Sequence, residues 1–165
     1  MTRSEAKGAS RPLIFLGGTA ARNDWRRSFV ARLVERGVPR ESFFDPVVKN
    51  WDEAARAREE EAKASADLLV FFLGDPKDPG IPVSAFALVE AALSICNEPG
   101  RTLIVFDLEE VEDHARKVLE QSEKLFRQQD PSVPIFRDVR QAEEWIAGRF
   151  ASGSTGCDES PAGGG

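Results

Sequence analysis

Histidine is nearly missing from this chain, in which His114 is the only one. Mechanisms that need an imidazole pair, a Ser-His couple or a His-rich zinc site therefore have little to draw on. Cysteine is scarce as well: Cys96 stands in an apolar stretch and Cys157 in a Gly- and Ser-rich tail. Such different settings do not suit a structural disulfide, no metal-ligand spacing is present, and no cofactor is called for. No apolar run approaches the roughly 20 residues of a membrane span, so no membrane partner is expected. Positive charge is short too, with 22 Lys and Arg against 28 Asp and Glu, a net of -6. That balance argues against a nucleic-acid polymer as partner, since such binding relies on clustered cations that release counterions. Free nucleotides remain open. The N-terminal MTRSEAKGASR has no apolar core of signal-peptide length, and a cytoplasmic location is the expectation.

What is present suits one domain. The chain has 165 residues, of which 41% are apolar and 30% charged, as in ordinary globular proteins. Pro12 to Leu16 reads as a buried strand that Gly17-Gly18-Thr19 turns into a loop. Asn23 or Asp24 is placed to cap a helix whose apolar positions Trp25, Phe29, Leu33 and Val34 recur until Gly37-Val38-Pro39. Ser42 to Val48 reads as a second short strand broken by Asp45-Pro46, and Trp51-Asp52 starts a charged helix with one thin apolar face. LLVFFL after Asp67 is the central strand, an uninterrupted apolar run of the kind a parallel sheet covered on both faces requires. Then follow a helix from Ser84 to Asn97, a strand from Thr102 to Phe106, a helix from Val111 to Gln128, a strand from Val133 to Phe136, and a helix from Val139 to Phe150.

Strands and helices alternate five times. The expectation is a single-domain, flavodoxin-like three-layer α/β/α fold with a five-stranded parallel sheet in the order 2-1-3-4-5. Residues 12–150 form this domain, with a flexible segment at 1–11 and a disordered tail at 151–165. In such sheets ligands bind beyond the carboxyl ends of the strands, near the point where strand order reverses. Gly17, Gly18 and Thr19 suit close backbone approach to sugar or phosphate oxygens. Asp45 and Asn50 stand in the loop after the second strand, and Trp51 beside them suits stacking on a base or plain packing. Trp25 either covers a ligand or packs in the core. Asp75 and Asp78 follow the central strand. A phospho-receiver is a poor reading, because that chemistry also needs acids after the first strand, where this chain has Gly17-Gly18.

Taken together, IFLGGT, FFDPVVKNWD, ADLLVFFLGD and the helix start after GIPVS resemble the nucleoside 2-deoxyribosyltransferase-like family, from roughly Leu13 to Phe150. The resemblance implies a nucleoside or nucleotide held over the carboxyl edge of the sheet, N-glycosidic bond cleavage or transfer in active members, and a homodimer or larger homo-oligomer. It also implies a glutamate nucleophile in the helix after the third strand, in a pattern similar to S/T-A-F-E-L-G-Y-A. Laid on this chain, the pattern falls on Ser84-Ala85-Phe86-Ala87-Leu88-Val89-Glu90-Ala91, so the nucleophile's position holds Ala87. A tyrosine implied for the first strand corresponds to Phe15, and the chain has no tyrosine at all. Glu90, about 4.5 Å further along the axis and roughly 60° around the helix, is the nearest acid, and it reads either as a partly solvated or hydrogen-bonded helix residue or as a shifted nucleophile.

Three readings follow. One is an N-glycosidic enzyme using Glu90, Asp75 or Asp78 as carboxylates, with Gly17, Gly18, Thr19 and Ser84 on the sugar or phosphate and Trp51 on the base. The second is a nucleotide-binding module with an inactive centre at Ala87. The third is an interaction domain that presents AREEEAK to a partner.

Overall fold

The computed structural model describes residues 11–20, 24–50, 52–75, 77, 82–109 and 111–151. Trp51 and Asp78 lie outside these residues, as does most of both terminal segments. The elements are β1 (Ile14–Gly18), α1 (Trp25–Glu35), β2 (Phe43–Phe44), α2 (Glu53–Ser65), β3 (Leu68–Leu73), α3 (Ala85–Asn97), β4 (Thr102–Phe106), α4 (Asp113–Gln129), β5 (Ile135–Phe136) and α5 (Val139–Phe150). The strands pair in parallel in the order β2-β1-β3-β4-β5. This is the expected three-layer α/β arrangement. No described helix is long and apolar enough to cross a membrane.

Every residue of β3 is buried, because both of its faces are covered. One face packs Phe15, Leu69, Phe71 and Leu73 under α2, α3 and α4 through Ala62, Ala91, Ile95, Leu119 and Phe126. The other packs Leu16, Val70, Phe72 and Val105 under α1 and α5 through Phe29, Leu33, Ala142 and Ile146. Glu143 of α5 is wholly buried at this second face, where Arg32 Nε donates to its Oε1 at 2.6 Å and Arg36 approaches its Oε2 at 4.0 Å. Asp67 pins the entry to the central strand: its carboxylate accepts from the Leu13 amide at 2.7 Å, and its own amide donates to the Leu13 carbonyl at 2.8 Å.

Three strands differ from the reading of the sequence: β5 is confined to Ile135–Phe136 instead of beginning at Val133, and β1 and β2 differ for local reasons. β1 runs through Gly17 and Gly18, which pair with Phe71 and Phe72, instead of ending at Leu16. Gly18 has a φ of +103°, and a Cβ there would collide with the Phe72 carbonyl oxygen, so only glycine permits this approach to β3. β2 is two residues long, not seven. Pro46 has no N–H for a ladder, and the Asp45 carboxylate accepts from the Val47 amide at 3.0 Å, turning the chain away. The helix starts follow side-chain capping: Asp52 accepts from the Ala55 amide at 2.7 Å, and Ser84 Oγ accepts from the Ala87 amide at 3.2 Å. Asp24 precedes α1 without a side-chain cap.

Candidate functional site

The carboxyl end of β1 is locked by side chains on both sides. Thr19 Oγ1 accepts from the Gly74 amide at 2.9 Å and donates to the Gly74 carbonyl at 3.1 Å, while the Thr19 amide donates to the Phe72 carbonyl at 2.7 Å. Thr19 is buried, and these bonds join the loops that follow β1 and β3. Trp25 Nε1 donates to the Thr19 carbonyl at 2.8 Å, and its ring stacks on Phe72 with centroids 4.3 Å apart and planes at 10°. With 6% of its surface exposed, Trp25 belongs to the core under α1.

Arg26 is the residue the sequence reading passed over. Its side chain is 8% exposed, and its guanidinium donates to the carbonyls of Leu16 at 3.1 Å and Thr19 at 2.9 Å, and to that of Gly18 at 3.4 Å. It also meets Asp45 at 3.3 Å, so it ties the end of β1 to the loop after β2. Burial lowers its pKa, and the charges of Asp45 and Glu59 oppose that shift in part. The signal was there: Arg26 shares the i, i+3, i+7 stripe with Phe29 and Leu33, an unusual place for a cation unless something pairs it. Asn50 is exposed in the same loop as Asp45. Asp75, at the carboxyl end of β3, accepts from the Lys77 amide at 2.9 Å, and Lys77 itself has a φ of 60°.

Glu90 points sideways from α3 toward α2. Its carboxylate accepts from Lys63 Nζ, which also donates to Glu59 at 2.7 Å. The Lys63 ammonium stands 5.1 Å from the centroid of the Phe15 ring, the ring that occupies the position where the resemblance implies a tyrosine. Burial alone would lower the Lys63 pKa; the hydrogen bonds and charges of Glu59 and Glu90 outweigh it and hold the ammonium above its ordinary value. Lys63 thus gathers two carboxylates, only one of which, Glu90, was a candidate. Ala87, one turn nearer the carboxyl edge, is 3% exposed and packed in the same apolar face as Phe15 and Ala91.

Two concavities flank these groups. A cleft of about 390 Å³ lies between α2 and α3, with Lys63 and Glu90 on its walls and Leu69 and Phe71 on its floor. A smaller one of about 240 Å³ opens on the opposite face, beside α1, and takes Asp24, Ser28, Arg32 and Asp107 as its polar lining, with Trp25 and Phe72 beneath. Of the candidate residues, the structure brings Gly17, Gly18, Thr19, Trp25 and Asp45 together at the end of β1, through Arg26 and Gly74. Ser84 caps α3, and Glu90 stands apart in the α2–α3 cleft.

The sequence model of one family, described as nucleoside 2-deoxyribosyltransferase like, matches residues 11–109, which run from the entry of β1 to just past β4. No curated protein gives a significant match. With more than half of its length matched, and with the sheet order expected from the alternation of strands and helices, this chain belongs to the nucleoside 2-deoxyribosyltransferase-like family.

Proposed function

We propose that this protein binds a nucleoside or nucleotide over the carboxyl ends of β1, β2 and β3, and that it does so without a covalent glycosyl-enzyme step at position 87. Family membership supports the ligand class. The observation that carries the second part is Ala87, a buried methyl group at the position where the family pattern implies the nucleophile. A methyl group cannot attack an anomeric carbon. In this reading Asp45 and Asn50 offer polar contacts from the loop after β2, Ser84 and the backbone at Gly17 and Gly18 face the sugar or phosphate, and Trp51 stacks the base. Thr19, Trp25 and Arg26 hold that edge in shape from beneath.

A second reading has one observation in its favour. Lys63 draws Glu59 and Glu90 to a single point beside the α2–α3 cleft, and paired carboxylates are what N-glycosidic chemistry uses. There Glu90 would serve as the carboxylate in place of residue 87, with Asp75 and Asp78 as further acids near the edge.

One experiment separates the two. Purified protein is incubated with deoxynucleosides and their 5'-monophosphates; released base is followed by chromatography, and the melting temperature is measured with each compound. A rise in melting temperature without base release is the expected result. Base release that disappears in Glu90→Ala would replace the first reading with the second, and neither binding nor release would refute both.

A further inference from the structure

The small cavity beside α1 holds charge that the described residues leave unmatched. Asp24 occupies the cap position of α1, yet its side chain caps no amide. Asp107, just past the end of β4, commits one carboxylate oxygen to the Glu109 amide at 3.2 Å. Among the described residues neither acid has a cationic partner. Arg32 enters the same cavity from two turns further along α1. Its Nε donates to Glu143, which is wholly buried and so fixes the guanidinium, while no described acceptor takes its terminal Nη groups. Because Glu143 balances Arg32, the two carboxylates remain as the net charge of the walls. The floor between the two ends is aromatic, with the stacked rings of Trp25 and Phe72 beneath. Ser28 Oγ donates to the Trp25 carbonyl at 3.1 Å and keeps its lone pairs for a further donor. Charges beside apolar walls of this kind are less screened than charges on an open surface.

We propose that this cavity of about 240 Å³ is a second ligand site, for a small zwitterion of the amino acid class with an ammonium at one end and a carboxylate at the other. Asp24 and Asp107 hold the ammonium, the Nη groups of Arg32 hold the carboxylate, and the aliphatic stem lies against the aromatic floor. Other ligand chemistries leave part of the cavity unmatched. A lone anion such as phosphate would meet the two acids. A bare metal ion would meet the arginine, and the described residues contain no group of side chains suited to hold one. A simple amine would leave the guanidinium donors unused. About 12 Å of helix axis separate Asp24 from Arg32, so even with the arginine leaning back toward the helix start the two anchors suit charges joined by an aliphatic chain. The cavity is on the face opposite the α2–α3 cleft, and its charged residues are none of those assigned to the nucleoside or to N-glycosidic chemistry, so the proposal stands apart from that reading.

The test is isothermal titration calorimetry of the full chain with γ-aminobutyrate, L-lysine and L-arginine, of which at least one is expected to bind saturably. Butylamine and butyrate, each with one of the two charges, are expected to bind about tenfold more weakly or not at all. Asp24→Asn combined with Asp107→Asn keeps the shape of the cavity and removes its charge; it is expected to weaken the zwitterion about tenfold with the far-UV circular dichroism unchanged. Arg32→Lys keeps a cation for Glu143 but loses the planar fork, and is expected to weaken the zwitterion several-fold. Failure of all three compounds to bind would overturn the proposal, as would butylamine binding as tightly as they do. So would binding indifferent to the aspartate pair or to Arg32→Lys. Displacement of the zwitterion by a deoxynucleoside would overturn it as well, because the cavity would then be part of the nucleoside site.

Discussion

Lys63 of α2 donates to Glu90 of α3 while holding Glu59 of its own helix at 2.7 Å, so one ammonium bridges two carboxylates beside the Phe15 ring. Its removal is the more damaging half of the interaction. Lys63→Met leaves two acids facing one another without a counter-ion and is expected to destabilise the fold by about 2 kcal/mol. Glu90→Gln keeps one partner for Lys63 and should cost about 1 kcal/mol or less. Urea unfolding of the two variants against wild type reads the difference.

The same ammonium makes a pH prediction. Its pKa in the folded protein is above the ordinary 10.5, so the folded state holds its proton more tightly than the unfolded chain. The stabilisation is therefore present in full below the unfolded value and is lost as pH rises through the folded one. The gap in melting temperature between wild type and Lys63→Met is expected to be constant from about pH 7 to about pH 9, and to narrow as pH rises past the ordinary lysine value and through the raised one. A gap that narrows on acidification alone would contradict this.

Arg26 is expected to be the most sensitive charged position at the carboxyl edge. Arg26→Met strands the carbonyls of Leu16 and Thr19 and releases Asp45, with an expected loss of about 3 kcal/mol in denaturant unfolding. Arg26→Lys should recover less than half of it, because a single ammonium cannot reproduce the planar fork that reaches several carbonyls at once.

Gly18→Ala and Gly37→Ala form a matched pair. Both positions have φ near +100°, at +103° and +93°. At Gly37 an added methyl group meets only the Ala151 side chain, at 3.5 Å, whereas at Gly18 it strikes the backbone of Phe72. The expected losses are about 1 kcal/mol at Gly37 and more than about 3 kcal/mol at Gly18, measured by thermal or urea unfolding.

Much of this architecture is legible in the residues. LLVFFL and TLIVF are runs that only buried parallel strands explain, and the helix from Val139 to Phe150 stands in the structure with the bounds that its periodicity implies. β1 was harder to delimit, since glycines usually end strands, and here they continue one because β3 comes so close. The role of Arg26 was missed because its partners are backbone carbonyls, which leave no mark in composition. A hydrogen-bonded Glu90 was legible, but its partner was not, for a different reason. Its partner is 27 residues away on another helix, and only the packing of α2 beside α3 brings the two together. Ala87, by contrast, shows through motif alignment alone, because the missing group is a side chain and not a contact.

Glu143 bears on where this molecule can be divided. The family match stops at residue 109, yet α5, which carries Glu143, closes the face on which Phe29 and Leu33 are buried. Its carboxylate is the counter-charge for Arg32 on α1 and lies within ion-pair reach of Arg36 just after that helix, both inside the matched region. The recognisable segment is thus shorter than the cooperative folding unit. A fragment trimmed to residues 11–109 would expose the underside of α1 and leave those two arginines without their buried acid, so a minimal expressible domain has to extend through α5.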